Sequence, residues 1–217
     1  MNQFSKMLAL ALLVSTPCFG QPSEAEQGLN AQLLVGAKND DLPTVRRALE
    51  KGAAPNSRNR AGDTALVTFA RKGNEEMAAL LLEKGAEVDL RNLDKVTPLM
   101  AAAYHGHTGV VRLLLFRGAN PDAEDQLGKT PMVYAAGQGF TEVVEALLDA
   151  GVDIDKTYRN DLTALMWAAG YGKAQTVKQL LVRGADRSRK DNRGKTALDM
   201  AREARHEAVV ALLAEAP

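Results

Sequence analysis

His105, His107 and His206 are the only imidazoles in this chain of 217 residues, and two of them stand two positions apart. A His-x-His pair is the arrangement from which a metal site or a general base would be built. A metal needs three or more ligands of matched softness, yet the single cysteine, Cys18, lies far from the pair. Residues at i and i+2 do not share a helix face, so the pair cannot present two ligands together. Acyl transfer is no better served. Beyond residue 20 the serines are Ser23, Ser57 and Ser188, none in a nucleophile elbow and none close in sequence to a histidine. Asp153 and Asp155 form a carboxylate pair, but Asp89 and Asp122 precede Asp155 at equal intervals, which makes the pair part of a recurring loop. The glycines are spread along the chain rather than clustered, so no phosphate-cradling loop is present. The expectation is a chain with no catalytic residue, no metal site and no cofactor. The rival, an enzyme with His105 as general base and a partner group from a distant segment, stays open at this point.

What positions these residues is a repeat. Thr64, Thr97, Thr130, Thr163 and Thr196 are each 33 residues apart, and so are Gly52, Gly85, Gly118, Gly151 and Gly184. Gly73, Gly106, Gly139 and Gly172 keep the same interval. Such a period means stacked supersecondary units. In residues 90–122, Thr97 is placed to cap a helix and Pro98 fits its first position, where no amide hydrogen is needed. Leu99, Ala102 and Ala103 give that helix a small-residue face, and Gly106 supplies the left-handed turn that ends it. A second helix buries Val110, Val111, Leu114 and Leu115 and ends at Gly118. Helices this short do not persist alone in water, so the units must stack.

These residues resemble the ankyrin repeat, whose pattern runs through Asp or Asn, Gly, Thr-Pro-Leu-His, a glycine turn, paired leucines and Gly-Ala. Here it reads NRAGDTAL at 59–66, NLDKVTPL at 92–99 and DQLGKTPM at 125–132, closing with Gly52-Ala53, Gly85-Ala86, Gly118-Ala119, Gly151-Val152 and Gly184-Ala185. The resemblance implies an all-α solenoid of stacked helix-turn-helix units with β-turn or hairpin loops. Units are placed at 24–56 (partial), 57–89, 90–122, 123–155, 156–188 and 189–217, the last a cap. The family's histidine is replaced by Val67, Met100, Val133, Met166 and Asp199, which predicts apolar contact between units at the first four. Ala65, Ala164 and Ala197 stand where Pro98 and Pro131 keep the proline. In the last unit Arg202 and Arg205 replace the second Ala and the turn Gly, the polarity a solvent-facing cap requires. His107 falls on the family's own Gly-His turn, a structural position.

The resemblance also implies that function resides in a surface, because in such stacks the loop tips and the outward residues of each first helix line a concave groove. Residues 21–217 carry eight aromatics, and Tyr104, Tyr134, Trp167 and Tyr171 map to groove positions. Tyr and Trp dominate binding hot spots. His105 belongs to the same face, and Leu93, Leu127 and Leu162 add apolar surface at three successive tips. Tyr134 and Trp167 fit partly buried packing roles equally well, and Phe69, at an Ala position, is assigned to the core. A basic stretch at 183–205, including Arg187, Arg189, Lys190, Arg193 and Lys195, reads first as a solvated cap face and second as a docking end for an acidic partner.

The N-terminus reads as a targeting segment. Lys6 precedes an apolar run from Met7 to Val14, too short to span a bilayer, and Cys18 and Gly20 occupy the positions a signal peptidase reads. Cleavage is expected after Gly20, giving a signal peptide at 1–20, a domain at 21–217 and a periplasmic location. Lipidation at Cys18 is the alternative, against which Ser15-Thr16-Pro17 makes a poor lipobox. Ser23 and Glu26 form an S-x-x-E capping box at which the first helix begins, with Leu29, Leu33 and Leu34 on its apolar face. The chain has 27 basic and 27 acidic residues, and losing Lys6 with the leader leaves 26 against 27, a formal charge of −1. That balance argues against bulk nucleic-acid binding. The expected partner is another exported protein, held non-covalently by a monomer acting as scaffold or accessory factor. An immunity-like inhibitor of a toxic enzyme and a small-ligand or cell-wall module are the alternatives.

Overall fold

The computed structural model describes residues 23–214, so the expectations for residues 1–20 lie outside the described residues. The described chain is built from helix pairs: α1 (Glu24–Asn39) with α2 (Leu42–Glu50), α3 (Ala65–Lys72) with α4 (Glu75–Glu83), and α5 (Pro98–His105) with α6 (Thr108–Phe116). Then come α7 (Pro131–Gln138) with α8 (Thr141–Asp149), α9 (Ala164–Gly170) with α10 (Ala174–Val182), and α11 (Ala197–Glu203) with α12 (Glu207–Ala214). No strand occurs among the described residues. The N-terminal unit, expected to be partial, has both helices, and α1 is the longest of all at 16 residues. Ser23 and Glu26 do form its capping box.

Five helices start at the periodic threonines. The hydroxyls of Thr64, Thr97, Thr130, Thr163 and Thr196 each accept the N–H three residues on, at 3.2–3.4 Å. The first helices α3, α5, α7, α9 and α11 pack in one row, and α4, α6, α8, α10 and α12 pack more loosely in a second. Alanines set the difference: Ala102, Ala103, Ala135, Ala136, Ala168 and Ala169 are fully buried and let inner helices approach closely. Close inner spacing with larger residues outside curves the stack toward its inner row. Between the rows, Leu66, Leu99, Met132 and Leu165 are buried from one side and Leu81, Leu114, Leu147 and Leu180 from the other. Val67, Met100, Val133 and Met166 are buried as expected. Asp199, their counterpart, instead accepts from the N–H and hydroxyl of Thr196 at 2.9 and 2.7 Å.

Successive units are clasped at the turn glycines. Gly73 has φ +75°, and a Cβ there would stand 2.4 Å from Nδ1 of His107 in the next unit. At Gly106 a Cβ would come within 2.5 Å of the Phe140 ring. Glycine is required twice over at these points, for its conformation and for the neighbour's approach. His107, Phe140 and Lys173 are the N-cap residues of α6, α8 and α10, yet none makes a side-chain cap bond. Their side chains lie across the preceding turn instead. His107 Nε2 is 3.0 Å from the Arg71 carbonyl, and His206 Nε2 is 3.1 Å from that of Gly170. His107 is structural, as its position implied.

The inter-unit loops form fingers. In four of them an Asn or Asp (Asn59, Asn92, Asp125, Asp191) accepts the N–H groups two and four residues on, at 2.8–3.0 Å. Neighbouring tips are tied by backbone bonds of 3.1 Å, Leu93 N–H to Ala61, Gln126 N–H to Asp94 and Asn192 N–H to Asn160. The finger of the 156–188 unit departs. Tyr158 replaces the Asn or Asp, residues Arg159–Asp161 form a 3-10 turn, and Asn160 and Asp161 both take positive φ, 63° and 59°. No corresponding bond joins Arg159 to Leu127 among the described residues.

The inner and outer rows and the finger conformations give two stability tests. Leu114→Ala opens a cavity in a fully buried site and should cost about 2–5 kcal/mol in urea unfolding, while Leu127→Ala on a finger tip should change stability by less than about 0.5 kcal/mol. Equal losses would contradict this division of core from surface. Lys95 holds φ +61° where Gly62, Gly128 and Gly194 occupy the equivalent position, so Lys95→Gly should raise stability by up to about 1 kcal/mol.

Candidate partner-binding groove

Because α5, α7 and α9 are adjacent in the inner row, their outward residues fall side by side. The rings of Tyr104 and Tyr134 meet edge to face with centroids 5.3 Å apart, and Trp167 and Tyr171 stack 5.9 Å apart at 6°. Gly137 lies between the two pairs, and a Cβ there would sit in ordinary contact with Tyr171 and Trp167, 3.7–3.9 Å away. His105 packs edge-on against Tyr104 at 5.0 Å. Burial, then the charges of His107 and Arg71, hold its imidazole below the ordinary value, so at neutral pH it adds no charge to the groove. Among the described residues no three His, Cys, Asp or Glu side chains gather closely enough to hold a metal ion.

Asp125 organises the centre. One carboxylate oxygen accepts the N–H groups of Leu127 and Lys129, and the other accepts the hydroxyl of Tyr134. Burial and this bond push the Tyr134 phenol above its usual range, which keeps it a donor. The same finger delivers Lys129, whose Nζ lies 5.4 Å from the Tyr134 ring centroid and 5.8 Å from that of Trp167. Such cation–π contacts contribute about 0.5–1 kcal/mol each when exposed.

Three cavities open around Lys129. One lies among Tyr104, Tyr134, Gln138, Trp167, Tyr171 and Lys173. A second runs under the finger tips among Leu127, Tyr158, Arg159, Leu162 and Trp167, where the tip-to-tip bond is missing. A third reaches Arg71, Val96, Met100, Tyr104 and His105. Lys129 lines all three. Tyr158 forms the floor of the second cavity. Its hydroxyl lies toward Thr130 without reaching hydrogen-bond geometry, and burial pushes its pKa upward. The indole Nε1 of Trp167 is also buried without a hydrogen-bond partner.

The predicted residues divide as follows. Tyr104 and Tyr171 are exposed, at 44% and 56%, while Tyr134 and Trp167 are half-buried and serve both packing and groove. Leu127 lines the second cavity, whereas Leu93, though 65% exposed, lies outside all three. Leu162 corrects the expectation of an exposed tip: it is partly buried against the core and meets the cavity only from below, because it occupies the position of Val96, one step inside the turn. Phe69 is fully buried.

The basic end is largely paired. Arg193 pairs with the buried carboxylate of Asp191 at 2.8 Å, Lys195 pairs with Glu203, Arg189 with Asp186, and Arg187 donates to the Leu213 carbonyl. Of the five residues, Lys190 alone makes no such bond among the described residues, and pairing within the segment offsets part of its positive charge. Sequence reasoning places Lys129 on a groove tip without singling it out, and misses Asp125 and Tyr158 as site residues. Tyr158 is the one visible in the sequence, as the break in an otherwise regular Asn59, Asn92, Asp125, Asp191 series.

No helix among the described residues is long and apolar enough to cross a membrane. No curated protein matches the chain. A family model for ankyrin repeats in three copies does match, at residues 33–125, 86–158, 113–191 and 132–217. With these matches running from residue 33 to the C-terminus, and with helix pairs, turn glycines and fingers repeating in register, the chain belongs to the ankyrin-repeat family.

Proposed function

We propose that the protein is a secreted, periplasmic binding scaffold that captures another exported protein in the groove of α5, α7 and α9 and stabilises or modulates it. Ankyrin repeats are protein-interaction scaffolds, and the finer reading rests on one observation. Four aromatic rings from three consecutive inner helices lie in a single row, two of them exposed and two half-buried against the stack. Large, preordered aromatic area of this kind loses little entropy on binding and is typical of hot spots. Within the groove His105 packs edge-on against Tyr104 and stacks loosely on His107. Secretion is supported by the Met7–Val14 run and the Cys18–Gly20 site.

The test is affinity capture from periplasmic extract with tagged protein beside a Trp167→Ala/Tyr171→Ala variant. One protein should be enriched by the wild type and weakened by at least about 30-fold in the variant, as loss of hot-spot side chains implies. Circular dichroism of the two should coincide. Full retention of the partner by the folded variant would sink the groove assignment. N-terminal sequencing of the exported protein should begin at Gln21, and an uncleaved or cytosolic product would remove the periplasmic reading.

A further inference from the structure

The groove differs in charge from the molecule that carries it. The chain as a whole has equal numbers of basic and acidic residues, yet no aspartate or glutamate lines any of the three cavities around Lys129. Their linings contain Lys129, Lys173, Arg159 and Arg71. Arg71 is paired with Asp63 at 3.3 Å, but Lys129, Lys173 and Arg159 make no ion pair with a described residue. The nearest carboxylate, Asp125, has both oxygens occupied by the finger N–H groups and the Tyr134 hydroxyl. Asp94 stands on the adjoining finger tip, outside the three linings.

Resting on the capture reading above, we propose that the captured segment is acidic: an extended peptide stretch that places a carboxylate at the Lys129 ammonium and an apolar side chain against Trp167 and Tyr171. Two features converge on this chemistry. Lys129 is held at the junction of the cavities by aromatic faces alone, so its charge is available to a ligand. Lys173 and Arg159 flank it in the first and second cavities and extend the positive field along the row. Charge matching with such a segment would speed encounter and select against basic or neutral sequences. A single-stranded nucleic acid fits less well. Its backbone needs a long track of cations, whereas here three unpaired ones stand among apolar and aromatic side chains such as Leu127, Val133, Leu162, Trp167 and Tyr171.

The experiment is selection of displayed short random peptides on immobilised wild type, on Lys129→Gln and on Trp167→Ala/Tyr171→Ala. Affinities of the selected peptides for wild type and the Lys129 variants follow from the fluorescence of Trp167, the only tryptophan in the chain, and those for the double variant from calorimetry. Wild-type selections should be enriched in Asp and Glu beside an apolar residue. Lys129→Gln should weaken the best peptide by about tenfold or more, in line with loss of a close charge pair, and Lys129→Arg should largely restore it. Peptides that require Trp167 and Tyr171 but show no acidic enrichment would overturn this inference and leave groove capture intact. Absence of any peptide that depends on the aromatic pair would overturn both. Displacement of the selected peptides by oligo-dT more effectively than by poly-glutamate of equal charge would reassign the groove to nucleic acid.

Discussion

Each unit is fastened to the one before it where a side chain crosses a left-handed glycine. His107 lies over Gly73, Phe140 over Gly106, Lys173 over Gly139 and His206 over Gly172, and at every one of these points a Cβ would overlap the crossing side chain. The cost falls on the helix starts, because α6, α8 and α10 give up a side-chain cap to supply the clasp. That exchange is favourable because a cap is worth about 1 kcal/mol, while short helices have no stability outside the stack. The inner row can use alanine only because the clasp fixes where each helix sits. The first junction solves the same problem differently. No turn glycine follows α1, so Asp40 takes the left-handed place, and Lys72 from α3 donates to the carbonyls of Ala37 and Lys38 at 2.9 and 2.8 Å.

A stack held by nearest-neighbour contacts has no long-range pairing to protect its ends. The end units show it. Arg205 takes the left-handed conformation at φ +58° in the place of the turn glycine. Asp199 closes its own helix start instead of offering an apolar surface, Lys195 and Arg193 pair with carboxylates of their own unit, and Arg189 pairs with Asp186 just before it. An ion pair within a surface leaves less of its charge for a partner. The same reasoning applied at the centre gives the opposite result, because Lys129, Lys173 and Arg159 have no such partners among the described residues.

What the sequence makes legible follows from periodicity. The threonine caps, the turn glycines and the buried leucines recur every 33 residues, so each is seen several times over and its role is confirmed by repetition. The aromatic row was legible for the same reason, since position within the unit fixes the face. Contacts between non-equivalent positions were not. Lys129 meets Tyr134 and Trp167 from two different units, and Asp125 joins a finger to a helix nine residues on, so neither has a periodic signature. The reading of Leu162 as a tip residue failed because three leucines in three tips were treated as one series. Leu93, Leu127 and Leu162 stand at three different positions of the unit, and the innermost of them turns toward the core.

The irregular finger ties these levels together. In a regular finger, an Asn or Asp carboxamide or carboxylate fastens the turn, and the tip bond fastens it to its neighbour. With Tyr158 in that place the turn must hold itself, and Asn160 and Asp161 take left-handed conformations that other fingers leave to a single residue. The tips of the 123–155 and 156–188 units therefore part on one side of Lys129, and the cavity beneath them is the space a tip-to-tip bond would have closed. On the other side Asp125 keeps its finger rigid and sets both the Tyr134 ring and the backbone of Lys129. A partner thus meets aromatic rings already in place, which lowers the entropy lost on binding, next to an opening that only this pair of units provides. Specificity in such a stack comes from where the repeat is broken, because the regular positions are all committed to holding the next unit.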